Sequence, residues 1–256
     1  MPQRVFDEFP TVDTFLQPSQ TVDVAGGATE TVTLAGRGDR PLGFDRILVY
    51  ADGVEEQVLL KMQPNSGGFT FFEDVQASAI QDFFRHRRLQ SPLLLEEGRA
   101  LEIEVTNNSG SAATVTVELT ALPQRVLEDR LEAVRQEFGE RLVPVFLYVT
   151  GTVPANANAR ADLLSYREYT ELLRFITSST AENEITYDVD LPARTPIRDK
   201  RHQTVLDQFE SGDLQIPLGI DTTKDARLVV ANQTASQQRY TFLGECYSLP
   251  GGPLVG

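Results

Sequence analysis

LQSPLLLEEGRALEIEVTNNSGSAATVTVEL, Leu89 to Leu119, is written a second time in this chain. Leu214 to Leu243 reads LQIPLGIDTTKDARLVVANQTASQQRYTFL, and a constant shift of 125 residues lays one stretch on the other without a gap. Over residues 80–122 that shift gives ten identities in 43 positions: Asp82, Phe84, Leu89, Gln90, Pro92, Leu93, Val105, Asn107, Ser111 and Thr116. Ordinary residue frequencies give about two or three by chance. The chain therefore reads as two copies of one domain, side by side.

Each copy has the same local grammar. Leu101, Ile103 and Val105 alternate with Glu102, Glu104 and Thr106, the period of two expected of a half-buried strand. Asn107-Asn108-Ser109-Gly110 turns the chain, and Val115, Val117 and Leu119 then alternate with Thr114, Thr116 and Glu118. Two strands so close predict an antiparallel hairpin. The second copy keeps the plan, with Leu228 and Val230, a turn at Asn232 to Ser236, then Tyr240 and Phe242.

Outward from the repeat, the reading is of strands with few helices. Residues 1–20, with Pro2, Pro10 and Pro18, suit an extended arm or a disordered end. PQRVFDE at Pro2 to Glu8 is echoed by PQRVLED at Pro123 to Asp129, a shift of 121 that places the start of the duplicated unit near Pro2 and Pro123. Val22 to Leu34 reads as one strand bent at Gly26-Gly27. Phe44 to Ala51 and Val58 to Met62 read as strands joined by an Asp52-Gly53 hairpin turn, and Phe69 to Phe72 as a short edge strand. Val75, Ala79, Ile80, Phe83 and Phe84 switch to helical spacing over residues 76–87, as do Val205, Leu206 and Phe209 in the second copy. Leu127, Leu131, Val134, Phe138 and Leu142 form one stripe of an amphipathic helix over 125–142 that packs on the adjoining sheets. Val143 to Val149 opens the second sheet system, followed by a loop at Pro154 to Asn158. Tyr166, Tyr169, Leu172, Leu173 and Ile176 suit a helix locally, but the repeat sets Tyr169 to Ile176 opposite Phe44 to Ala51 and so favours a strand. Ile185 to Leu191 is strand-like. The expected organisation is an N-terminal arm at 1–20, a first domain at 21–122, a linker helix at 123–142, a second domain at 143–249 and a tail at 250–256.

Composition narrows the function classes. At 256 residues two domains of about 120 each are ordinary, and each can bury a core without staples. The single cysteine, Cys246, rules out an internal disulfide and reads as a small buried hydrophobe. No apolar run approaches 18 residues, and MPQRVFDEFP lacks the apolar core of a secretory signal. The net charge of −14, with only Lys61, Lys200 and Lys224 beside 20 arginines, disfavours sequence-independent nucleic-acid binding, which draws on Lys and Arg against phosphates.

Candidate chemistry is sparse, and no catalytic, cofactor or metal residues are assigned. His86 and His202 stand at unmatched repeat positions without metal-ligand spacing and read as surface histidines. Glu96, Glu97, Asp188 and Asp190 could hold a cation but read as solvated strand faces. No GxSxG elbow, Walker loop, Rossmann glycine pattern or HExxH is present. Arg37-Gly38-Asp39 matches the integrin-binding tripeptide and reads as a glycine turn. Asn107-Asn108-Ser109 and Asn232-Gln233-Thr234 match the glycosylation acceptor pattern, but asparagine's turn chemistry explains both.

A duplicated all-β unit of about eight strands, with a helix before the last three, resembles the double jelly-roll capsid proteins of tailless icosahedral viruses. The residues behind that resemblance are Ile47 to Gly53, the helix around Phe83-Phe84, Pro92 to Leu95, and the Asn107 turn with its counterpart at Asn232. It implies two tandem jelly-roll β-sandwiches, each with a short helix, joined by the amphipathic helix. It further implies a structural virion protein, located in the virion, that forms a shell as trimers of six similar wedges, with no enzymatic role, no cofactor and other virion proteins as partners. An internal membrane, if present, would meet the basic cluster Arg85, His86, Arg87, Arg88 or its looser counterpart Arg198 to Arg201, though solvation or salt bridging accounts for both. The alternative is a decoration, spike or carbohydrate-binding protein of a phage, which the absence of Trp and the presence of only seven Tyr disfavour.

Overall fold

The computed structural model describes residues 18–35, 42–65, 70–85, 88–89, 91–95, 97–138, 143–165, 169–179, 184–190, 197–202, 213–221 and 226–248. The first half contains β1 (Ser19–Val24), β2 (Thr29–Ala35), β3 (Leu42–Tyr50), β4 (Val58–Pro64), β5 (Phe72–Gln76), α1 (Ala77–Arg85), β6 (Leu93–Leu95), β7 (Ala100–Asn107) and β8 (Ala113–Ala121). After α2 (Gln124–Phe138), the second half contains β9 (Val143–Val153), β10 (Asn158–Asp162), β11 (Tyr169–Ser179), β12 (Ile185–Asp190), β13 (Ile197–His202), β14 (Asp213–Asp221), β15 (Arg227–Asn232) and β16 (Gln238–Ser248).

The eight strands of each half make two four-stranded antiparallel sheets. In the first half the orders are β1-β8-β3-β6 and β2-β7-β4-β5; in the second, β9-β16-β11-β14 and β10-β15-β12-β13. Adding eight to every strand number of the first half gives the second. This crossing order is that of a jelly roll, and the chain is a double jelly roll.

Alternation along the strands builds each interior. Val32 and Leu34, Val58, Leu60 and Met62, Leu101, Ile103 and Val105, and Val115, Val117 and Leu119 all point between the first pair of sheets and are almost fully buried. Val145, Leu147 and Val149, Leu228 and Val230, and Tyr240, Phe242 and Cys246 do the same in the second. Cys246 is a buried hydrophobe, as its sequence context implied. Helix α1 buries Ala79, Ile80, Phe83 and Phe84 on one face, which fixes it against the first roll.

Three turns lead from one sheet to the other where the sequence implied a single bent strand or a hairpin. Val22 to Leu34 is not one bent strand but two, β1 and β2, in opposite sheets. Gly27 has φ +74°, and a Cβ on Gly26 would lie 2.9 Å from the backbone of Ser109, Gly110 and Ser111, so glycine is required where the corner closes. Asp52-Gly53 is a turn with positive φ at both residues, but it carries the chain from β3 in one sheet to β4 in the other, so no hairpin forms. The turn after Asn107 likewise crosses between sheets, because β7 pairs with β2 and β4 while β8 pairs with β1 and β3. A local turn signal gives the reversal and not the partner; pairing is set by which faces must bury.

Other differences are smaller. The edge strand predicted at Phe69 to Phe72 is β5, starting at Phe72, and Phe69 lies outside the described residues. Strand β11 takes the strand alternative at Tyr169 to Ile176. The predicted helix over Val205 to Phe209 lies outside the described residues. The duplicated register is 125 at Asn107 and Asn232 but 129 at the first strands, where Val24 pairs with Ala113 and Val153 with Gln238. The Pro2 and Pro123 echo at 121 therefore does not continue into the strands, and residues Pro2 to Glu8 lie outside the described residues.

Candidate functional site

The repeated asparagine is the first feature the two rolls share atom by atom. Asn107 Nδ2 donates to the carbonyls of Val24 at 3.0 Å and Ser111 at 2.8 Å, while its Oδ1 accepts from Ser109 N at 2.9 Å. Ser109 Oγ donates to Ser111 O at 2.7 Å. In the second roll Asn232 Nδ2 donates to Val153, Pro154 and Ser236 carbonyls at 3.2, 2.9 and 2.8 Å, and Oδ1 accepts from Thr234 N at 2.8 Å. Thr234 Oγ1 takes the place of Ser109 Oγ, donating to Ser236 O at 2.7 Å. Both asparagines are buried, so the acceptor patterns mark corner locks whose side-chain nitrogens face the protein.

The second shared construction is the contact between the rolls. Val145 to Val149 is continuously apolar because β9 is covered on both faces: Val145, Leu147 and Val149 enter the second core, whereas Phe146 and Tyr148 join the first roll's cluster. Phe146 meets Phe72 edge to face at 5.6 Å and Phe83 at 6.3 Å. Leu243 of β16 lies in the same cluster, with Ile176 of β11 packed against it. Fully buried Gln76 at the end of β5 crosses the boundary: its Nε2 donates to Glu56 O at 2.8 Å, and its Oε1 accepts from Thr241 Oγ1 at 2.8 Å. The edge strand and helix of one roll thus sit on the outer face of the β9-β16-β11 sheet of the other.

Tyr148 makes this contact sensitive to alkali. Burial above all, then the negative charges of Glu73 and Asp74 across the boundary, push its phenol up to about 12 from an ordinary 10.0. A group whose folded pKa is raised contributes stability that is complete below the unfolded value and is lost as pH rises through the folded one. The wild-type unfolding free energy is expected to fall between pH 10 and 12, and Tyr148→Phe to flatten that fall in urea titrations. Tyr240, also raised by burial, retains its own share. An unchanged alkaline slope in Tyr148→Phe would remove Tyr148 from this account.

Helix α2 is tied to the first roll near its start. Leu127 is buried over Gly43, where any Cβ would collide with its side chain. Arg130 Nη1 lies 2.6 Å from Oδ2 of the fully buried Asp45, whose other oxygen lies 3.5 Å from Arg88 Nη1. Of the predicted stripe, Leu127 is buried and Leu131 half-buried; nothing is described of the side chains of Val134 and Phe138, and Leu142 lies outside the described residues. The cost of isolating the Asp45 carboxylate from water is offset by the two guanidinium groups.

Among the described residues, the remaining sequence candidates are not brought together. Arg88 is engaged by Asp45, and the Arg85 carbonyl accepts from Arg46 Nη2 at 2.8 Å; His86 and Arg87 lie outside the described residues. His202 and Arg198 to Arg201 fall on β13, the edge of its sheet. Asp188 and Asp190 fall on β12, and Glu97 is exposed near the turn before β7. Glu96 and Arg37-Gly38-Asp39 lie outside the described residues. Among the described residues, no group of three or more His, Cys, Asp or Glu side chains could hold a metal ion, and no helix is long and apolar enough to cross a membrane. The functional feature that sequence reasoning missed is the roll-to-roll face, although its signal, an apolar run without alternation at Val145 to Val149, is that of a strand buried on both sides.

No protein-family model and no curated protein matches the chain. Among solved structures, it is similar to the STIV MCP, with 9% identity and a TM-score of 0.45, covering 92% of this chain and 97% of that one. It is similar to the major capsid protein of bacteriophage PM2, at 11% identity and a TM-score of 0.42, covering 91% and 99% of the two chains. A structure of Sulfolobus Turreted Icosahedral Virus aligns at 11% identity and a TM-score of 0.43, over 91% and 90%. The double jelly roll is established by the chain's own strand order.

Proposed function

We propose that this chain is a structural protein of a virion, the shell-forming subunit of a capsid, and that it assembles as trimers with six rolls around an axis. The observation that carries this reading is lateral roll-to-roll packing within one chain: two units of one topology, one seated edge to face on the other through Phe146, Leu243 and the Gln76 to Thr241 bond. Similar wedges joined side by side tile a surface when the same kind of contact repeats between chains. In this reading the role rests on surfaces rather than on a reactive centre. In this reading residues 21–122 and 143–249 are the two wedges and residues 123–142 connect them.

Light scattering on the purified protein tests the proposal. The expected mass is that of a trimer or a larger assembly. A species that remains strictly monomeric at high concentration, above all one that binds glycans, would replace the shell with a spike or receptor-binding role.

A further inference from the structure

Resting on that reading, we propose that the outer face of the β1-β8-β3 sheet, centred on Thr116 and Tyr50, receives the β13 edge of the second roll of another copy of this chain. The duplication itself points to this occupant. In the second roll the corresponding face, on β9, β16 and β11, is covered by the β5 edge and α1 of the first roll. In the first roll the start of α2 lies on that face at Gly43, while Tyr50 farther along the same strand is 57% exposed. Among the described residues each chain uses one edge and one face internally, and the β13 edge and the Thr116 face are the counterparts of that pair, the two halves of a head-to-tail contact.

Register identifies the matching positions. Thr241 shares an oxygen-to-oxygen hydrogen bond of 2.9 Å with Thr150, and Thr116 shares one of 2.9 Å with Thr21, so Thr116 is the counterpart of Thr241. Thr241 is the residue that meets Gln76 from the neighbouring roll. Gln76 stands opposite Leu59, one residue after Val58, which pairs with Asn107. His202 stands opposite Thr186, one residue after Ile185, which pairs with Asn232. His202 thus holds the place of Gln76 and is the position expected to face Thr116 of the next copy.

The chemistry of the two surfaces agrees with this pairing. Around Thr116 the face carries Ser19, Thr21, Asp23, Thr114 and Glu118, with Leu48 and Arg46 half-buried. Tyr50, directly opposite Thr116, is 57% exposed, an aromatic of the kind that anchors interfaces. Strand β13 reads IRDKRH, with Arg198, Lys200, Arg201 and His202 against one acid, Asp199. A strand of that composition is complementary in sign to Asp23 and Glu118, which favours a more polar contact between copies than the phenylalanine-lined one within a chain.

Cross-linking tests the contact. Thr116→Cys with His202→Cys, under mild oxidation, is expected to give disulfide-linked dimers and trimers, while neither single variant does. Gln76→Cys with Thr241→Cys, whose native side chains touch at 2.8 Å, is the control and is expected to close a disulfide within one chain; the native Cys246 faces the second core, away from both pairs. Glu118→Arg is expected to weaken association at least tenfold and raising the salt concentration to weaken that of the wild type. If the wild type assembles and the control reacts, but the Thr116 and His202 pair does not link, the contact is wrong while the shell reading stands. The same result follows if the first 17 residues of the chain occupy the face, and it equally overturns the proposal. A monomeric wild type overturns both.

Discussion

Asn107→Ala is expected to destabilise the protein by about 3 kcal/mol or more in urea unfolding, the cost of stranding several buried polar groups at about 1–3 kcal/mol each. The side chain is fully buried and serves three backbone groups at once: the carbonyls of Val24 and Ser111 and the N–H of Ser109. Alanine leaves the Val24 carbonyl and the Ser109 N–H without the side chain that serves them, leaves the Ser111 carbonyl with Ser109 Oγ as its side-chain donor, and frees the corner where the chain changes sheets. Asn107→Asp tests the donors alone, since aspartate has nearly the same shape but, ionised, donates nothing to the two carbonyls. It is expected to be as damaging as alanine or worse. Asn232→Ala should cost a similar amount, because its amide serves the matching carbonyls and Thr234 N in the second roll. The exposed neighbour Asn108 is the control, and Asn108→Ala is expected to stay within about 0.5 kcal/mol of wild type. A loss below about 1 kcal/mol at Asn107 would mean that the corner relaxes and rehydrates, and the lock would be only a consequence of the fold.

The asparagine turns were legible before any coordinates because they are written twice, whereas the bonds that lock them to the Val24 and Val153 carbonyls were not. Asn107 and Asn232 fall in the gapless part of the repeat, with Ser111 and Ser236 four residues on supplying the carbonyl each needs. Alternation in β7 and β8 was equally plain, since every second residue faces a core. Strand partnership was not legible, for a physical reason. In a jelly roll the turn after Asn107 and the turn at Asp52-Gly53 join strands of opposite sheets, and the sequence of a tight turn is the same whether the next strand lies beside the last or across the core from it. Strand β10 was missed because NARAD at Asn158–Asp162 offers only Ala159 and Ala161 to the interior, too little side chain to register as an apolar face. The roll-to-roll contact left one trace, the unbroken apolar run in β9, which was read as the opening of a sheet and not as a strand with two covered faces.

Phe146→Ala is expected to cost about 3–5 kcal/mol, the range for emptying a buried phenylalanine site, and the form of the loss separates two roles for the residue. Were Phe146 merely a core residue of the second roll, its removal would resemble Val145→Ala, lowering the stability of that roll alone. Its ring, however, lies among Phe72 and Phe83 of the first roll, on the opposite face of β9 from Val145 and Leu147. The alanine variant should therefore uncouple the rolls, so that one cooperative unfolding transition broadens or divides into two. A double-mutant cycle gives the sharper measure. Phe72→Ala and Phe146→Ala are each expected to be damaging, yet the pair together should cost less than the sum by about 1 kcal/mol, because the edge-to-face contact at 5.6 Å is lost only once. Strict additivity, together with a single sharp transition in the Phe146 variant, would show that the rolls are held by the connecting chain and not by this face. The face would then be no guide to how one copy meets the next.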